Sequence, residues 1–512
     1  MNGSTMNGST MNGSTMNGIA DFLIAHAGTQ PVSFHMPGHK GAQLYRRFGY
    51  GEFLDRFFDC DITEIPGADN LFQPESIIAQ TMGKYRQLYG TKASYLLVNG
   101  TSGGLIASIL ASVPPGKKLI MARNCHKAVF NALMLGNIQP LYAHPSEVAE
   151  YGIAGPVEPE EIRRLLAEEP EAEAVILPSP NYYGICSDIR EIAKVVHEAG
   201  KVLIVDQAHG AHLKFFEGAA EPKGEGLPMP QAAESCGADL VINSVHKTLG
   251  SLTQSAVLNV CGGGVFAGED PELTRQNLYK LEDKLQAVES TSPSYILMGS
   301  LDISADILKE HGEELIGAWR EDLQWFYREA KKIPGLKIMD PAMQSGQMDR
   351  TKINLDMSGC GLDGGQLEEA LMERGIFAEL VTGDILMCMT GIGNTRKDYV
   401  RLVEALQQIA AGSGVSGSET SRSDDSDAGG GAFLWTKHRV LRDIPAEKEL
   451  RPIDQCEGRI CAASIIPYPP GIPLICPGEE IGAEEIAYVK ELRERGEKVM
   501  GIDSDGRIVV GV

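Results

Sequence analysis

Between residues 75 and 260, short apolar runs alternate with helix-like stretches, and this alternation constrains the fold more than any other feature of the chain. The runs are residues 94–98, 118–121, 174–177, 202–205 and 240–243, with helical stretches such as 104–113 and 159–168 between them. Strands that alternate with helices build an α/β fold, a mostly parallel sheet wrapped by helices. Ligands in such sheets sit beyond the C-terminal strand ends. Two of those ends carry matched chemistry. One run leads into Asp206-Gln207-Ala208-His209, and another into Ser244-Val245-His246-Lys247-Thr248. A lysine amine condenses with an aldehyde to a Schiff base. A carboxylate keeps a pyridine nitrogen protonated, so that the ring accepts electrons. Lys247 and Asp206 therefore predict pyridoxal 5'-phosphate as the cofactor and amino-acid chemistry as the activity.

Two further strand ends fit that cofactor. Asn99-Gly100-Thr101-Ser102-Gly103-Gly104 opens a helix, and small residues with free amides at a helix N-terminus cradle phosphate. In isolation this would read as a glycine-rich turn; beside Asp206 and Lys247 it reads as a phosphate site formed by Thr101, Ser102 and Gly103. His126, in Arg123-Asn124-Cys125-His126-Lys127, stands where an imidazole can lie flat on the pyridine ring. Ser179-Pro180-Asn181-Tyr182-Tyr183-Gly184 lines the same edge, with packing and cofactor contact equally open for the two tyrosines.

At 512 residues the chain is too long for one ordinary core. Residues 1–18 repeat Met-Asn-Gly-Ser-Thr and have nothing to bury, so disorder is expected there. We expect an N-terminal arm over 19–75, a large cofactor-binding domain over 76–330 and a smaller α/β domain over 331–410. Residues 411–432, rich in Gly, Ser and Asp, read as a flexible linker, and 433–512 as a C-terminal α+β module.

The formal net charge of −23 argues against nucleic acid, whose binding needs a basic footprint. It is compatible with a cationic small-molecule substrate, although plain acidic solubility is the favoured reading of the charge. The ten cysteines form no CxxC pair, which fits a reduced, cytoplasmic setting and no metal site. No apolar stretch has membrane-spanning length, and no signal-peptide pattern opens the chain. Three motifs are decoys. Asp206-Gln207-Ala208-His209 echoes a helicase box without a phosphate loop, Gly359 to Gly364 is a lone G-x-G-x-x-G, and Pro37-Gly38 breaks any helix between His35 and His39.

Taken together, these segments resemble the prokaryotic ornithine/lysine/arginine decarboxylase family, of the aminotransferase-like pyridoxal phosphate fold. The resemblance also covers PGHKG at 37–41, DITEIPGADNLF at 61–72, SVHKTLGSLTQ at 244–254, STSPSY at 290–295, and YPPGIP and PGE in the last module. It implies Lys247 as Schiff-base lysine, Asp206 as pyridine partner and His126 as stacking residue. It further implies Ser244 and His246 around the phosphate with Thr101 and Ser102, His209 at the cofactor edge, and an active site at a homodimer interface, where Thr291 and Ser292 reach a neighbour's phosphate. Gln207 departs from the family's usual Glu, and the chain resembles the short form without a receiver-like domain. The implied activity is decarboxylation of arginine, lysine or ornithine to the amine and CO2, in polyamine or diamine biosynthesis. Asp61, Glu64, Asp69, Glu379 and Asp384 are candidate partners for the substrate's side-chain charge. An aminotransferase or another lyase of this fold, and a non-catalytic homologue, stand as rival readings.

Overall fold

The structure is a computed structural model that describes residues 18–217, 227–341, 347–413, 442, 446–468, 471–494, 496 and 498–512. Its centre is a seven-stranded sheet. In chain order the strands are β1 (Ala93–Leu97), β2 (Lys118–Ala122), β3 (Gln139–Ala143), β4 (Ala172–Pro178), β5 (Val202–Asp206), β6 (Leu240–Asn243) and β7 (Ala256–Val260). The spatial order is β1-β7-β6-β5-β4-β2-β3. Neighbours from β6 to β3 run parallel, and only β7 is antiparallel, to both β6 and β1. The sheet is thus mostly parallel, as the alternation predicts. β3 and β7 are additional to the five expected strands. Pro140 and Tyr142 in β3 and Asn259 in β7 interrupt the apolar signal that marked the others.

Helices cover the sheet. α1 (Gly100–Ser112) follows β1 and packs under α4 (Pro271–Val288), while α2 (Lys127–Gly136) follows β2. A single turn, α3 (Val245–Thr248), carries Lys247. Leu203, Ile204 and Val205 of β5 and Leu240, Val241 and Ile242 of β6 are wholly buried, which is why these segments read as continuous apolar runs. The long α5 (Tyr295–Ala330) leads into a smaller antiparallel sheet. Its strands β8 (Lys337–Ile338), β9 (Lys352–Asp356), β10 (Leu380–Thr382) and β11 (Ile385–Met389) lie in the order β8-β9-β11-β10.

The N-terminal arm is bound to this smaller sheet's side. Val32–Ser33 pairs in parallel with Ile376–Phe377. Beyond it, Gly38 donates its N–H to the carbonyl of His246 at 2.7 Å. A Cβ at Gly38 would lie 2.5 Å from the Leu249 carbonyl oxygen, so only glycine allows the arm to lie against α3. The helix Arg396–Gly412 runs two residues into the expected linker. The remainder of that linker, apart from Ser413, and residues 1–17 of the repeat lie outside the described residues. The last module has its own core, with Ile453, Cys461, Ile465, Leu474, Val489 and Val510 buried together. Its proline-rich run enters as Ile466–Tyr468, an extended strand paired on one side with Lys498–Met500. All ten cysteines are unpaired, and no helix among the described residues is long and apolar enough to cross a membrane.

One buried ion pair in the large domain has a pH signature. Asp239, wholly buried before β6, accepts the N–H of Leu203 and of Phe266, each at 2.8 Å, and faces His197 Nε2 at 2.9 Å. The hydrogen bond to Asp239 raises the His197 pKa above 6.5 against a smaller opposing effect of burial. A raised histidine stabilises the fold fully below its unfolded value and loses that contribution as pH climbs through the folded one. His197→Gln should therefore cost about 1 kcal/mol more at about pH 5.5 than at about pH 8.5, read from urea midpoints. An equal cost at both would refute the assignment.

Candidate active site

Five strand ends of the large sheet converge on one cleft. In the parallel pairing of β5 with β6, Asp206 stands opposite Ile242, so Asp206 and the turn bearing Lys247 leave the sheet side by side. The cleft encloses about 440 Å³ of empty space, its open mouth included. Thr101 from the end of β1, His126 and Asn124 from β2, Tyr182 from β4, His209 and Asp206 from β5, and Lys247 after β6 line it.

The electrostatics favour a nucleophilic amine. Burial pushes the Lys247 pKa below 10.5, opposed by the carboxylates of Asp206 and Glu379. A desolvated lysine keeps more of its amine neutral and reactive. Lys247 Nζ lies 2.8 Å from His209 Nε2. Burial, followed by the Lys247 charge, holds His209 well below 6.5 and His126 down at about 3. Both imidazoles are therefore neutral at physiological pH. His126 Nδ1 accepts the Ala128 N–H at 3.2 Å as the N-cap of α2, which fixes its ring. Burial raises the Asp206 pKa, with the Lys247 charge and the Ala208 N–H, 3.1 Å from Oδ1, acting the other way.

The predicted phosphate residues gather at the start of α1. Ser102 and Gly103 lie in its first turn, and Ser244 Oγ donates to Thr101 Oγ1 at 3.3 Å. Gly103 leaves room for the buried Glu289, whose Oε1 would be 2.9 Å from a Cβ there. His246 Nδ1 lies 2.8 Å from the Ser255 carbonyl, and of the predicted phosphate residues only Thr101 lines the cleft itself. Gln207 spends its side chain on Glu234, Asn243 and the Ala233 N–H. The tyrosines divide. The Tyr182 ring lies 4.5 Å from the His209 ring at a tilt of 58°, while the Tyr183 hydroxyl donates to Thr382 Oγ1 at 2.9 Å.

Of the five candidate carboxylates for a cationic side chain, none lines the cleft. Asp69 is fully engaged in capping. Its Oδ1 accepts the N–H of Asn70 and Glu75, and its Oδ2 those of Ser76 and Ile78. Burial works against its charge, yet these four amides hold it well below the usual carboxylate range. Glu379 Oε2 accepts the Met36 N–H at 2.9 Å and faces His35 Nδ1 at 3.6 Å, and it is the one of the five whose field reaches Lys247. Asp61 and Glu64 are exposed, and Asp384 stands in the turn between β10 and β11. Thr291 and Ser292 are exposed as well.

The decoys resolve locally. Asp363 of the glycine motif caps the helix Gly364–Met372 through a capping box with Gln366. His39 Nδ1 bonds within its own turn to Gly41, and no metal-ligand cluster exists among the described residues.

Two groups escaped sequence reasoning. Asn124 lines the cleft, and its position at a strand end beside His126 was an available signal. The other is a wholly buried network from residues 137 to 143 positions apart. Lys352 Nζ donates to the His209 carbonyl at 2.5 Å and pairs with Asp349 Oδ2 at 2.8 Å, while Asp349 Oδ1 faces His212 Nε2 at 3.2 Å.

These residues fit pyridoxal phosphate. The cleft offers a buried amine, a buried carboxylate, two neutral imidazoles and a helix N-terminus with small residues. Among the described residues, the buried Asn124 Oδ1 and His209 Nδ1 lack a hydrogen-bond partner, as expected of atoms that meet a polar ligand.

Comparison with known proteins gives one consistent result. Residues 18–351 match the model of the Orn/Lys/Arg decarboxylase major domain, and residues 438–508 match that of the Orn/Lys/Arg decarboxylase C-terminal domain. An arginine decarboxylase of Bacillus subtilis is 30% identical over 488 residues, covering 93% of each chain. An arginine decarboxylase of Halalkalibacterium halodurans is also 30% identical, covering 94% of each. Among solved structures, a lysine decarboxylase of Francisella novicida superposes with a TM-score of 0.71 at 20% identity, over 93% of this chain and 78% of that one. A serine palmitoyltransferase of Sphingomonas wittichii shares the fold at a TM-score of 0.52 and 14% identity, over 75% of this chain and 87% of that one.

Proposed function

The chain belongs to the Orn/Lys/Arg decarboxylase family, and from that premise we propose that it converts arginine to its amine and CO2 with pyridoxal phosphate held at Lys247. The observation that carries this reading is the meeting of the buried Lys247 amine and the Asp206 carboxylate at adjacent strand ends in one cleft. Arginine is preferred because the Bacillus subtilis and Halalkalibacterium halodurans relatives, which cover nearly the whole chain at 30% identity, bear that name.

When bound, the cofactor supplies the electron sink that lets the Cα–carboxylate bond break. Everything else falls to the chain. Lys247 holds the cofactor by its amine. Asp206 supplies the negative charge that keeps a proton on the pyridine nitrogen. His126, a neutral imidazole in the cleft lining, would pack against the pyridine ring, and the start of α1, with Thr101, Ser102 and Gly103, would hold the phosphate. Pro178, Pro180 and Tyr182, which line the cleft, would keep water from a carboxylate about to leave. CO2 departs without a proton, so one proton must return to Cα. Once the substrate's amine has displaced it and given up its proton to it, the Lys247 amine, 2.8 Å from His209 Nε2, would be the group placed to deliver that proton. Glu379, whose field already reaches Lys247, is our candidate for the guanidinium end.

The physiological setting follows as part of the same proposal: a cytoplasmic homodimer that supplies a polyamine precursor. Arginine, lysine and ornithine, assayed in parallel for CO2 and amine, test the assignment. Arginine should lead by about 10-fold or more in kcat/KM, or ~1.4 kcal/mol of discrimination. A keto acid formed without CO2 would sink the decarboxylase reading, and a preference for lysine or ornithine would sink arginine.

A further inference from the structure

The last module reaches the cleft through one buried arginine. Arg123 stands directly after β2, with its N–H bonded to the Ala143 carbonyl of β3 at 2.9 Å. Its guanidinium turns wholly toward the C-terminal module. Nε and Nη2 donate to the two carboxylate oxygens of Glu479, each at 3.0 Å. Nη1 donates to the Pro473 carbonyl at 2.8 Å and Nη2 to that of Leu474 at 3.0 Å. The planar group also lies over the Tyr142 ring, 5.3 Å from its centroid. Neither charge sees solvent, with side-chain exposures of 0% for Arg123 and 1% for Glu479. Glu479 is itself braced, since its Oε2 also accepts the Cys476 N–H at 2.8 Å.

The same module touches the far side of the same turn. The Lys127 N–H donates to the Gly471 carbonyl at 3.3 Å. Residues 123 to 127 are thus held at both ends by the module, and between the two anchors lie Asn124 and His126, both lining the cleft.

We infer that Arg123 and Glu479 are positioning residues through which the C-terminal module fixes the turn that presents His126 and Asn124 to the cofactor. The module is part of the active site by this route, though none of its described residues lines the cleft. The inference rests on the pyridoxal phosphate reading of that cleft. A bidentate guanidinium–carboxylate pair sets orientation as well as distance, which a point charge does not. Breaking a buried pair leaves an uncompensated charge that must find water, so the turn is the element that shifts.

The test uses the full chain with Glu479→Ala, the near-isosteric Glu479→Gln, and Glu480→Gln as the exposed neighbouring control. Amide hydrogen exchange of the apoproteins reads the turn without any cofactor. Exchange over residues 123–127 should rise in both Glu479 variants and stay at the wild-type level in Glu480→Gln. Titration with pyridoxal phosphate should show the dissociation constant rising about 10-fold or more, in line with losses of orienting contacts behind ligands, and the visible circular dichroism of the bound ring should change. Wild-type exchange over 123–127 in Glu479→Gln would overturn the inference, even if thermal stability falls. So would unchanged cofactor affinity and dichroism. Should Glu479→Ala not fold, Glu479→Gln decides alone. A wild-type protein that takes up no pyridoxal phosphate would sink the cofactor reading, while the exchange result would still judge the clamp.

Discussion

Lys247→Ala should lose turnover by a factor on the order of 10⁴ or more and lose the near-visible absorbance of the lysine-linked cofactor in the same preparation. The two losses share one cause. The Lys247 amine is the only lysine nitrogen among the cleft-lining residues, so nothing else there can hold an aldehyde covalently. Its second task, returning a proton from beside His209, disappears with it. Added primary amines replace neither its tether nor its placement, so rescue should be weak. The check is an absorbance scan beside a CO2-release assay on purified protein. Retained turnover, with or without colour, would overturn the mechanism. A variant that loses colour and activity but unfolds at the wild-type midpoint would confirm that the loss is chemical.

Asp349→Ala should cost about 3–5 kcal/mol of stability, the largest effect we expect from any residue outside the cleft. Asp349 is wholly buried and meets Lys352, His212 and Thr351 at once. Burial by itself would raise its pKa, but Lys352 and then His212 hold it far below the usual carboxylate range. Removing it strands the Lys352 ammonium with no counter-charge at 0% exposure. Function should fall too, because that ammonium anchors the carbonyl of His209, the residue that touches Lys247. Urea unfolding measures the cost. Adding Lys352→Met to Asp349→Ala should recover part of it, since two apolar groups replace a broken pair. A single-variant loss below about 1 kcal/mol would show that the network is not the brace described.

The large sheet was legible because both faces of its central strands are covered, so their sequences are apolar without interruption. Lys247 and Asp206 were legible for a related reason, as polar residues at the ends of such runs. β3 and β7 escaped because Pro140, Tyr142 and Asn259 blur the pattern. Asp69 read as a candidate substrate partner because its capping role is defined by amides up to nine positions downstream and not by the acid itself. The pairs Lys352–His209 and Arg123–Glu479 could not be read from the sequence. Their partners are 143 and 356 positions apart, and neither segment signals the other.

The distance between Arg123 and Glu479 has a consequence in time. Synthesis proceeds at about 5–20 residues per second, so the 356 positions between them correspond to roughly 20–70 s. Through that interval the arginine exists beside a growing β-sheet with no carboxylate to meet it. A guanidinium cannot enter the interior alone, so the turn after β2 must stay hydrated until the last module arrives. The cleft therefore closes only after Glu479 has been made, and a chain halted before that residue would carry its lysine and aspartate in a pocket that cannot yet dry.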